Sequence, residues 1–285
     1  MSELPESLLE KRDALLARLR QLGSCAVALS GGVDSAVVAK AARLALGDAA
    51  VAVTAVSPSL ASGELAVARQ TAALVGIRHE VVHTGEMDVA EYRRNAPDRC
   101  YHCKHELYSQ LDVRWVQPLG LQHVVNGANV DDVADYRPGM TAADEHGVVS
   151  PLIECGIGKH EVRKLAAHWG LPVADKPASP CLSSRVQYGE QVTPERLRMI
   201  DRAESWLREH GFVEMRVRLL SGDVASVEVP LPQVGRLTDT PLGNEMTAAF
   251  ADLGFREVTV DPEGFRSGRL NEFVPLEELV DHRRG

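Results

Sequence analysis

The segment SGGVDS at residues 30–35 constrains this chain more than any other feature. It follows a short apolar run, Cys25–Leu29, and precedes a segment with helical periodicity at 34–46. Two adjacent glycines permit a tight turn in which successive N–H groups point at an anion, and the dipole of the next helix adds to that attraction. We therefore predict a strand, a phosphate-binding loop and a helix, with the loop formed by Ser30, Gly31, Gly32, Val33, Asp34 and Ser35.

Three side chains of this loop are suited to a site for phosphate and its magnesium ion. Ser30 and Ser35 carry hydroxyl donors, and the carboxylate of Asp34 can orient the loop or a magnesium ion. The loop is not of the GxxxxGK[ST] kind, because no lysine stands at its end. The alternative interpretation is a strand-to-helix turn without a ligand.

Apolar runs of strand length alternate with helical patterns along the first part of the chain. This order predicts an α/β fold in which a doubly wound, mostly parallel sheet is covered by helices on both faces. Such sheets bind ligands where their strands end, which is where SGGVDS lies. The predicted strands are 25–29, 49–56, 78–83 and 123–125, and the predicted helices include 34–46, 62–76 and 159–169. We expect irregular backbone over 92–104, followed by a helix to Trp115.

A segment rich in proline and serine, DKPASPCLSSRVQYG at 175–189, separates two patterns. Beyond it, Thr193 and Pro194 match the N-cap and first residue of a helix, and an αββαβ order follows, which predicts a smaller C-terminal α+β domain. We expect a phosphate-loop domain at 1–175, a cysteine loop at 176–192, and an α+β domain at 193–285 that binds substrate or mediates oligomerisation.

Charge and hydropathy argue against several classes of protein. The net charge of −9 is opposite to that of most proteins that grip a nucleic-acid backbone, so we expect no nucleic-acid partner. Residues 1–22 form an amphipathic pattern rather than a secretory signal, and no apolar run approaches the roughly 20 residues of a membrane helix. We therefore expect a cytoplasmic protein without a membrane partner, in which the five cysteines stay reduced.

The loop resembles the PP-loop of the ATP pyrophosphatase superfamily. That resemblance implies an enzyme that cleaves ATP between the α and β phosphates and adenylates a substrate, with ATP and Mg²⁺ as cofactors. Ser57 and Gly127 each follow a further predicted strand and complete the set of residues that we expect to contact ATP.

Five further segments are similar to the LarE family: 126–129, 131–132, 135–139, 150–152 and 176–185. The resemblance implies that ATP adenylates a carboxylate of a pyridinium dicarboxylate mononucleotide, an intermediate of the nickel-pincer nucleotide of lactate racemase. The cysteine matching Cys181 then forms a thioester, and cleavage of its Cβ–S bond leaves sulfur on the product and dehydroalanine on the chain. We also expect a homo-oligomer, and sulfide or a sulfur-donor protein as a partner.

Cys181 suits a nucleophilic role on its own sequence context. It lies in a Pro/Ser loop with Lys176 and Arg185 nearby in sequence, and cationic neighbours favour the thiolate. The alternative is an incidental surface thiol. The expected catalytic residues are Cys181, Asp34, Lys104 and Arg185.

Cys100 and Cys103 form a CxxC pair, which in an intracellular chain indicates a metal or redox site. Together with Cys181 they supply three thiolates, which fit a [4Fe–4S] cluster with one open iron. In this pattern the chain resembles those LarE-like proteins that carry a cluster, and the resemblance implies that the open iron holds an extra sulfide for delivery to the substrate. Such a cluster is easily lost in aerobic preparations. Zinc, with His102 or His105 added, and sacrificial chemistry stay open as alternatives. Cys25 and Cys155 are expected to be small core residues.

Arg216 and Arg218 alternate along a predicted strand and therefore project from one face. Two guanidinium groups there can clamp a nucleotide phosphate, and the matching RVR of LarE-like proteins implies the same, whereas the alternative is a solvated strand face. Arg185 joins them as an expected substrate contact. Glu204 and Glu228 match acidic metal-site positions of the family, although no clear third acid follows them.

Two other functions are consistent with parts of this pattern. A tRNA thiolase also combines a PP-loop with cysteines, but the acidic net charge argues against it. An adenine-nucleotide sensor would bind ATP without turnover, but it leaves the CxxC pair without a role.

Overall fold

The computed structural model describes residues 4–134 and 138–266. The chain divides into two compact units, which are not continuous in sequence. The N-terminal unit comprises residues up to Ser57 together with Gly63–Glu86 and Cys100–Ser179, and the C-terminal unit comprises Pro58–Ser62, Met87–Arg99 and the chain from Pro180. The functional boundaries expected at 175 and 193 stay a prediction.

A four-stranded sheet forms the centre of the N-terminal unit. Its strands are β1 (Cys25–Ala28), β2 (Ala50–Val56), β3 (Arg78–His83) and β4 (His123–Val125). They lie in the order β3-β2-β1-β4, and every neighbouring pair is parallel, which confirms the predicted sheet. All four strands therefore end at the same edge, and the segments that follow β1, β2 and β4 meet there.

Helices cover both faces of this sheet because the short strands are apolar on both sides. Val27 of β1 packs with the helices of one face, where Leu15 and Val37 are fully buried. Ala26 points the opposite way and packs with Leu107 on the other face. The helices of this unit are α1 (Glu6–Gln21), α2 (Val33–Leu46), α3 (Glu64–Val75), α5 (Arg99–Leu111, whose first residue belongs to the other unit), α6 (Gln117–Leu119), α7 (Pro138–Glu145), α8 (Pro151–Glu154) and α9 (Lys159–His168).

The expectation of irregular backbone over 92–104 is wrong. A short helix, α4 (Ala90–Arg94), ends at Asn95, which has a left-handed φ of 58°, and α5 already begins at Arg99. The first turns of α5 are polar and mostly half-buried, with Arg99 buried, whereas Leu107 and Leu111 supply its apolar stripe. Periodicity therefore indicates only the second half of this helix.

In its described residues, the C-terminal unit has the expected αββαβ order with two short α-helices, α4 and Leu231–Val234, added. Its strands are β5 (Arg216–Leu220), β6 (Val224–Glu228) and β7 (Glu257–Val260), and its helices besides α4 are α10 (Pro194–Glu209), α11 (Leu231–Val234) and α12 (Pro241–Leu253). β5 and β6 are antiparallel, whereas β6 and β7 are parallel. Thr193 caps α10 as predicted, because its hydroxyl accepts the N–H of Arg196 at 3.3 Å.

Of the helices in the described ranges, none has both the length and the apolar character required to span a membrane.

Candidate functional site

The SGGVDS loop leaves β1 and enters α2, as the sequence predicts. Its own serines brace it: Ser35 Oγ accepts the N–H of Ser30 at 3.1 Å and donates to the carbonyl of Gly32 at 3.1 Å. The Oγ atoms of Ser30 and Ser35 lie 3.1 Å apart, and Ser30 Oγ accepts the N–H of Gly32 at 3.3 Å. The loop is therefore held in shape before any ligand binds, with the orphan N–H groups of the first turn of α2 beside it.

Two glycines allow other parts of the N-terminal unit to approach the loop closely. A Cβ atom on Gly127, directly after β4, would lie only 2.6 Å from the backbone nitrogen of Ser35. Gly31 has a left-handed φ of 79°, and a Cβ there would lie 3.3 Å from the carbonyl oxygen of Glu64 in α3. The loop is thus packed backbone against backbone on two sides. Ser57, the other expected ATP contact, directly follows β2 at the same edge.

Asp34 lies at the start of α2 and faces the segment after β4. Its Oδ1 accepts a hydrogen bond from Asn129 Nδ2 at 3.0 Å. Burial raises the pKa of Asp34, and nearby Asp132 raises it further, while the Asn129 hydrogen bond and the charge of Lys159 act in the opposite direction. Mg²⁺ is commonly bound by one or two carboxylates together with substrate phosphates, so this desolvated acidic pair fits a magnesium–nucleotide complex.

The CxxC pair occupies the first turns of α5. Cys100 is exposed and Cys103 is partly buried, and residues three apart share one face of a helix. Around them, the Tyr101 hydroxyl donates to Glu145 at 2.7 Å and the rings of His105 and His146 are hydrogen-bonded at 3.0 Å. The pair is therefore placed to offer two thiols in the same direction.

Lys104, the next residue of α5, packs along α7. A Cβ on Gly139 would lie 3.0 Å from Lys104 Cγ, so the stem of the lysine lies directly against that glycine. A catalytic role for Lys104 stays a prediction.

The expected metal sites differ in how well their residues fit. Two thiols of α5 fit two corners of a cluster, whereas Cys181, the third expected ligand, belongs to the C-terminal unit. Within residues 4–134 and 138–266, no three His, Cys, Asp or Glu side chains come together in a group that could hold a metal ion. The cluster and the zinc alternative therefore stay predictions.

In the C-terminal unit, the backbone around Cys181 is fixed while its thiol is exposed. The carbonyl oxygen of Cys181 accepts three hydrogen bonds, from Ser184 N at 3.0 Å, Ser184 Oγ at 2.7 Å and Arg185 Nη1 at 2.8 Å. The next peptide is held by Leu182 N donating to the carbonyl of Ser59 at 2.9 Å. This arrangement presents an exposed thiol on a backbone that is held by hydrogen bonds, and a nucleophilic role for the thiol stays a prediction.

Arg185 is buried and holds this loop through hydrogen bonds to its backbone carbonyls. Its side chain is 2% exposed and pairs with Glu204, which accepts from Nε at 3.0 Å and from Nη2 at 3.3 Å. Nη1 also donates to the carbonyl of Pro180. These contacts give Arg185 a positioning role at the cysteine loop; direct contact with a substrate stays a prediction.

Arg216 and Arg218 share one face of β5 as predicted, because Val217 and Leu219 on the other face are fully buried. Arg218 Nε donates to Glu228 at 2.6 Å, and the guanidinium of Arg216 lies 5.1 Å from the ring centroid of Phe265. Burial, together with the neighbouring charge of Arg185, lowers the pKa of Arg216 to about 10. This face is therefore a partly desolvated, positively charged surface.

The acidic residues of this cluster pair with its arginines. Glu204 binds Arg185, and Glu228 binds Arg218. Both carboxylates are therefore already bound to guanidinium groups. Metal ligation by Glu204 and Glu228 stays untested, and their arginine partners argue against it.

A second set of contacts to the cysteine loop is not evident in the sequence. Arg99 Nη1 donates to the carbonyl of Ser183 at 2.7 Å, and the hydroxyls of Tyr92 and Ser183 lie 2.6 Å apart. Asn95 Nδ2 donates to the carbonyls of Gln187 and Glu190 at 2.8 and 2.9 Å. In the sequence, Asn95 is the residue that could have indicated a turn here, because asparagine tolerates the left-handed conformation that it adopts.

Together, the parallel sheet and the braced loop at its carboxyl edge define an ATP-binding domain of the PP-loop class. The family model for asparagine synthase matches residues 8–116, which include this loop. A glutamine-hydrolysing GMP synthase subunit from Archaeoglobus fulgidus is 25% identical over 199 residues, covering 66% of this chain and 65% of that protein.

Two relatives match almost the whole chain. An uncharacterised protein of Synechocystis is 47% identical over 271 residues, covering 92% of this chain and 98% of its own length. The pyridinium-3,5-bisthiocarboxylic acid mononucleotide synthase of Lactiplantibacillus plantarum is 35% identical over 276 residues, covering 96% of this chain and 98% of its own. The chain belongs to the family of this synthase, the LarE family.

We predict that Gly127→Ala lowers the affinity for ATP by about tenfold or more, since overpacking typically costs about 1–3 kcal/mol. The added Cβ would force apart the backbones of residue 127 and Ser35. Isothermal titration with Mg-ATP measures the effect. Gly235→Ala is the matched control, because nothing lies within 4 Å of a Cβ at Gly235 and its φ of −61° suits alanine. Unchanged ATP affinity in the Gly127 variant would contradict the close packing.

We predict that Asp34→Asn stabilises the ligand-free protein at neutral pH. Because the pKa of Asp34 is raised, the folded chain binds its proton more tightly than the unfolded chain, so ionised Asp34 destabilises the fold. The gain in stability should vanish as the pH falls below the pKa that Asp34 has in the unfolded chain, because the wild-type carboxyl is then neutral in both the folded and the unfolded state.

Urea unfolding of both proteins across this pH range measures the difference. Asp13→Asn is the control, since the Asp13 side chain is 63% exposed. A variant that is less stable than wild type at neutral pH would show that the ionised carboxylate is favourable in the fold.

Proposed function

We propose that this chain is an ATP-dependent sulfurtransferase that converts a carboxylate of pyridinium-3,5-biscarboxylic acid mononucleotide to a thiocarboxylate, for nickel-pincer nucleotide biosynthesis. The observation that carries the proposal is the braced phosphate loop at 30–35, in a chain that matches the Lactiplantibacillus synthase along 96% of its length. The loop supports nucleotide use, and the relationship supports the class of substrate.

The first step that we propose is adenylation. A carboxylate oxygen of the substrate forms a bond to the α-phosphorus of ATP, the bond from that phosphorus to the α,β-bridging oxygen breaks, and pyrophosphate leaves with the electron pair. N–H groups at the start of α2 would hold the phosphates, and Asp34 would hold Mg²⁺, which would neutralise phosphate charge when bound. The rigid loop supports this role because it requires little reorganisation when ATP binds.

The phosphate of the mononucleotide is proposed to bind at the arginines of β5. Arg216 and Arg218 lie on one face and are partly buried, so their interaction with an anion is less screened by water than that of exposed arginines. Their position on one face of the same strand supports this assignment.

For the sulfur, two routes use Cys181 differently. In the sacrificial route the Cys181 thiolate attacks the acyl carbon and AMP leaves; loss of the Cα proton then expels the sulfur with the Cβ–S electron pair, leaving dehydroalanine. In the other route, a [4Fe–4S] cluster bound by Cys100, Cys103 and Cys181 would supply a sulfide as the nucleophile. We favour the second route because the CxxC pair on α5 has no task in the first.

A homo-oligomeric state, a cytoplasmic location and a sulfide or protein sulfur donor belong to the same proposal.

Pyrophosphate release tests the proposed substrate. We expect release from ATP to require the pyridinium mononucleotide and not to respond to tRNA. Arg216→Gln should raise the KM for the mononucleotide about 10- to 100-fold and leave that for ATP nearly unchanged, because a hydrogen bond to a charged group is lost. Arg208→Gln, at an exposed position of α10, is the control. Release that depends on tRNA would favour a thiolase, and absence of release with either substrate would favour a nucleotide sensor.

Anaerobic reconstitution with iron and sulfide tests the source of sulfur. We expect visible absorption of a [4Fe–4S] cluster in the wild type and in Cys155→Ala, and its loss in Cys100→Ala/Cys103→Ala. Absorption that persists in the double variant would refute this ligand set. Intact-protein mass after turnover examines the other route, because sacrificial transfer must show the loss of H₂S at Cys181.

A further inference from the structure

The phosphate loop contributes no positive charge of its own. SGGVDS contains one acid, Asp34, and no lysine or arginine. ATP carries several negative charges, and the pyrophosphate that leaves gains more negative charge as its bond to the α-phosphorus breaks. Other phosphate loops carry a lysine for this purpose, as GxxxxGK[ST] does. A cation for the phosphates must therefore come from elsewhere in the chain or from solvent.

Lys176 places an ammonium group directly on this loop. Its Nζ donates to the carbonyl oxygen of Gly31 at 3.1 Å and to Glu64 Oε2 at 2.6 Å. The two side chains of the ion pair are 19% and 17% exposed, so the pair is only partly hydrated. An ammonium carries three donors, and these two contacts use two of them. In sequence, Lys176 lies 145 residues from Gly31, which is why the pattern of the loop does not reveal it.

The backbone of Lys176 is fixed by the N-terminal unit. Its N–H donates to the carbonyl of Val173 at 3.1 Å. Arg163 of α9 donates to the carbonyls of Ala174 and Lys176 at 2.6 and 3.0 Å. The lysine therefore reaches the loop from a rigid base, and its flexible stem allows the ammonium to move a short way without displacing that base.

We infer that Lys176 is a phosphate-contacting residue of the ATP site, and that Glu64 is the positioning residue that holds its ammonium at the loop. The inference rests on the proposed use of ATP. When the triphosphate occupies the loop, the ammonium binds the β and γ phosphates and stabilises the charge that develops on the leaving pyrophosphate. Glu64 keeps the lysine oriented toward Gly31 before the nucleotide arrives.

A structural role for the same ion pair makes a different prediction. If Lys176 only ties α3 to the loop through Glu64 and Gly31, its loss should disturb every ligand of the loop alike. If it binds the β and γ phosphates, its loss should weaken ATP and pyrophosphate much more than AMP, which lacks those groups.

The test is isothermal titration of the full chain with Mg-ATP and, separately, with AMP. Lys176→Met should weaken ATP about 10- to 100-fold while AMP binding changes less than about twofold, as expected for the loss of one charge-assisted contact. Lys176→Arg should retain most of the ATP affinity, because it keeps the charge. Lys164→Met, at an exposed position of α9, is the matched control and should bind both nucleotides like wild type.

Glu64→Gln distinguishes the positioning residue from the phosphate contact. It should weaken ATP by a smaller factor than Lys176→Met, since the lysine remains but is less well oriented. Equal losses for ATP and AMP in Lys176→Met, or unchanged ATP affinity in that variant, would overturn the inference. These affinities do not depend on turnover, so failure of the pyridinium mononucleotide to release pyrophosphate would refute the proposed substrate and leave the role of Lys176 standing.

Discussion

The close approach of two backbones at the carboxyl edge of the sheet governs the N-terminal unit. Gly127 lies so near Ser35 that no side chain fits between them, and this contact joins the end of β4 to the start of α2. A loop with two adjacent glycines would be costly to order by itself, because glycine loses more conformational freedom on folding than other residues. Packing against α3 and the residue after β4 orders the loop during folding, so this entropy is already lost before a nucleotide binds.

Buried charge has the corresponding role in the C-terminal unit. Arg185 and Glu204 are almost completely removed from water. Such buried ion pairs add little net stability to a fold, but removal of one partner is strongly destabilising because it leaves an unpaired buried charge. What this pair provides is a defined geometry, since the guanidinium also holds the carbonyl of Cys181. An ion pair at this position stabilises the fold no more than apolar side chains of similar size would, but it fixes the position of the peptide that follows Cys181.

Much of the fold follows from local patterns, whereas the contacts of the site do not. The four parallel strands, the loop at 30–35 and the burial of Cys25 are readable from short apolar runs and glycines. The first half of α5 is not, because its residues are polar and form no apolar stripe. The bonds of Tyr92 and Asn95 to the cysteine loop join residues about 91 positions apart, and nothing local specifies them. Arg185 is predictable as a charged neighbour of Cys181, but its burial depends on Glu204 of a later helix.

Cys100 and Cys103 lie on a helix, and this affects the free energy with which the two thiols could bind a common partner. A CxxC in an irregular loop must first organise its backbone, and that ordering consumes part of the binding free energy. On α5 the Cα positions are already fixed by the hydrogen bonds of the helix, so only side-chain torsions remain to be set. The spacing of the two Cα atoms is thus set by the helix pitch, so a group that binds both thiols has to match a separation of about one helical turn.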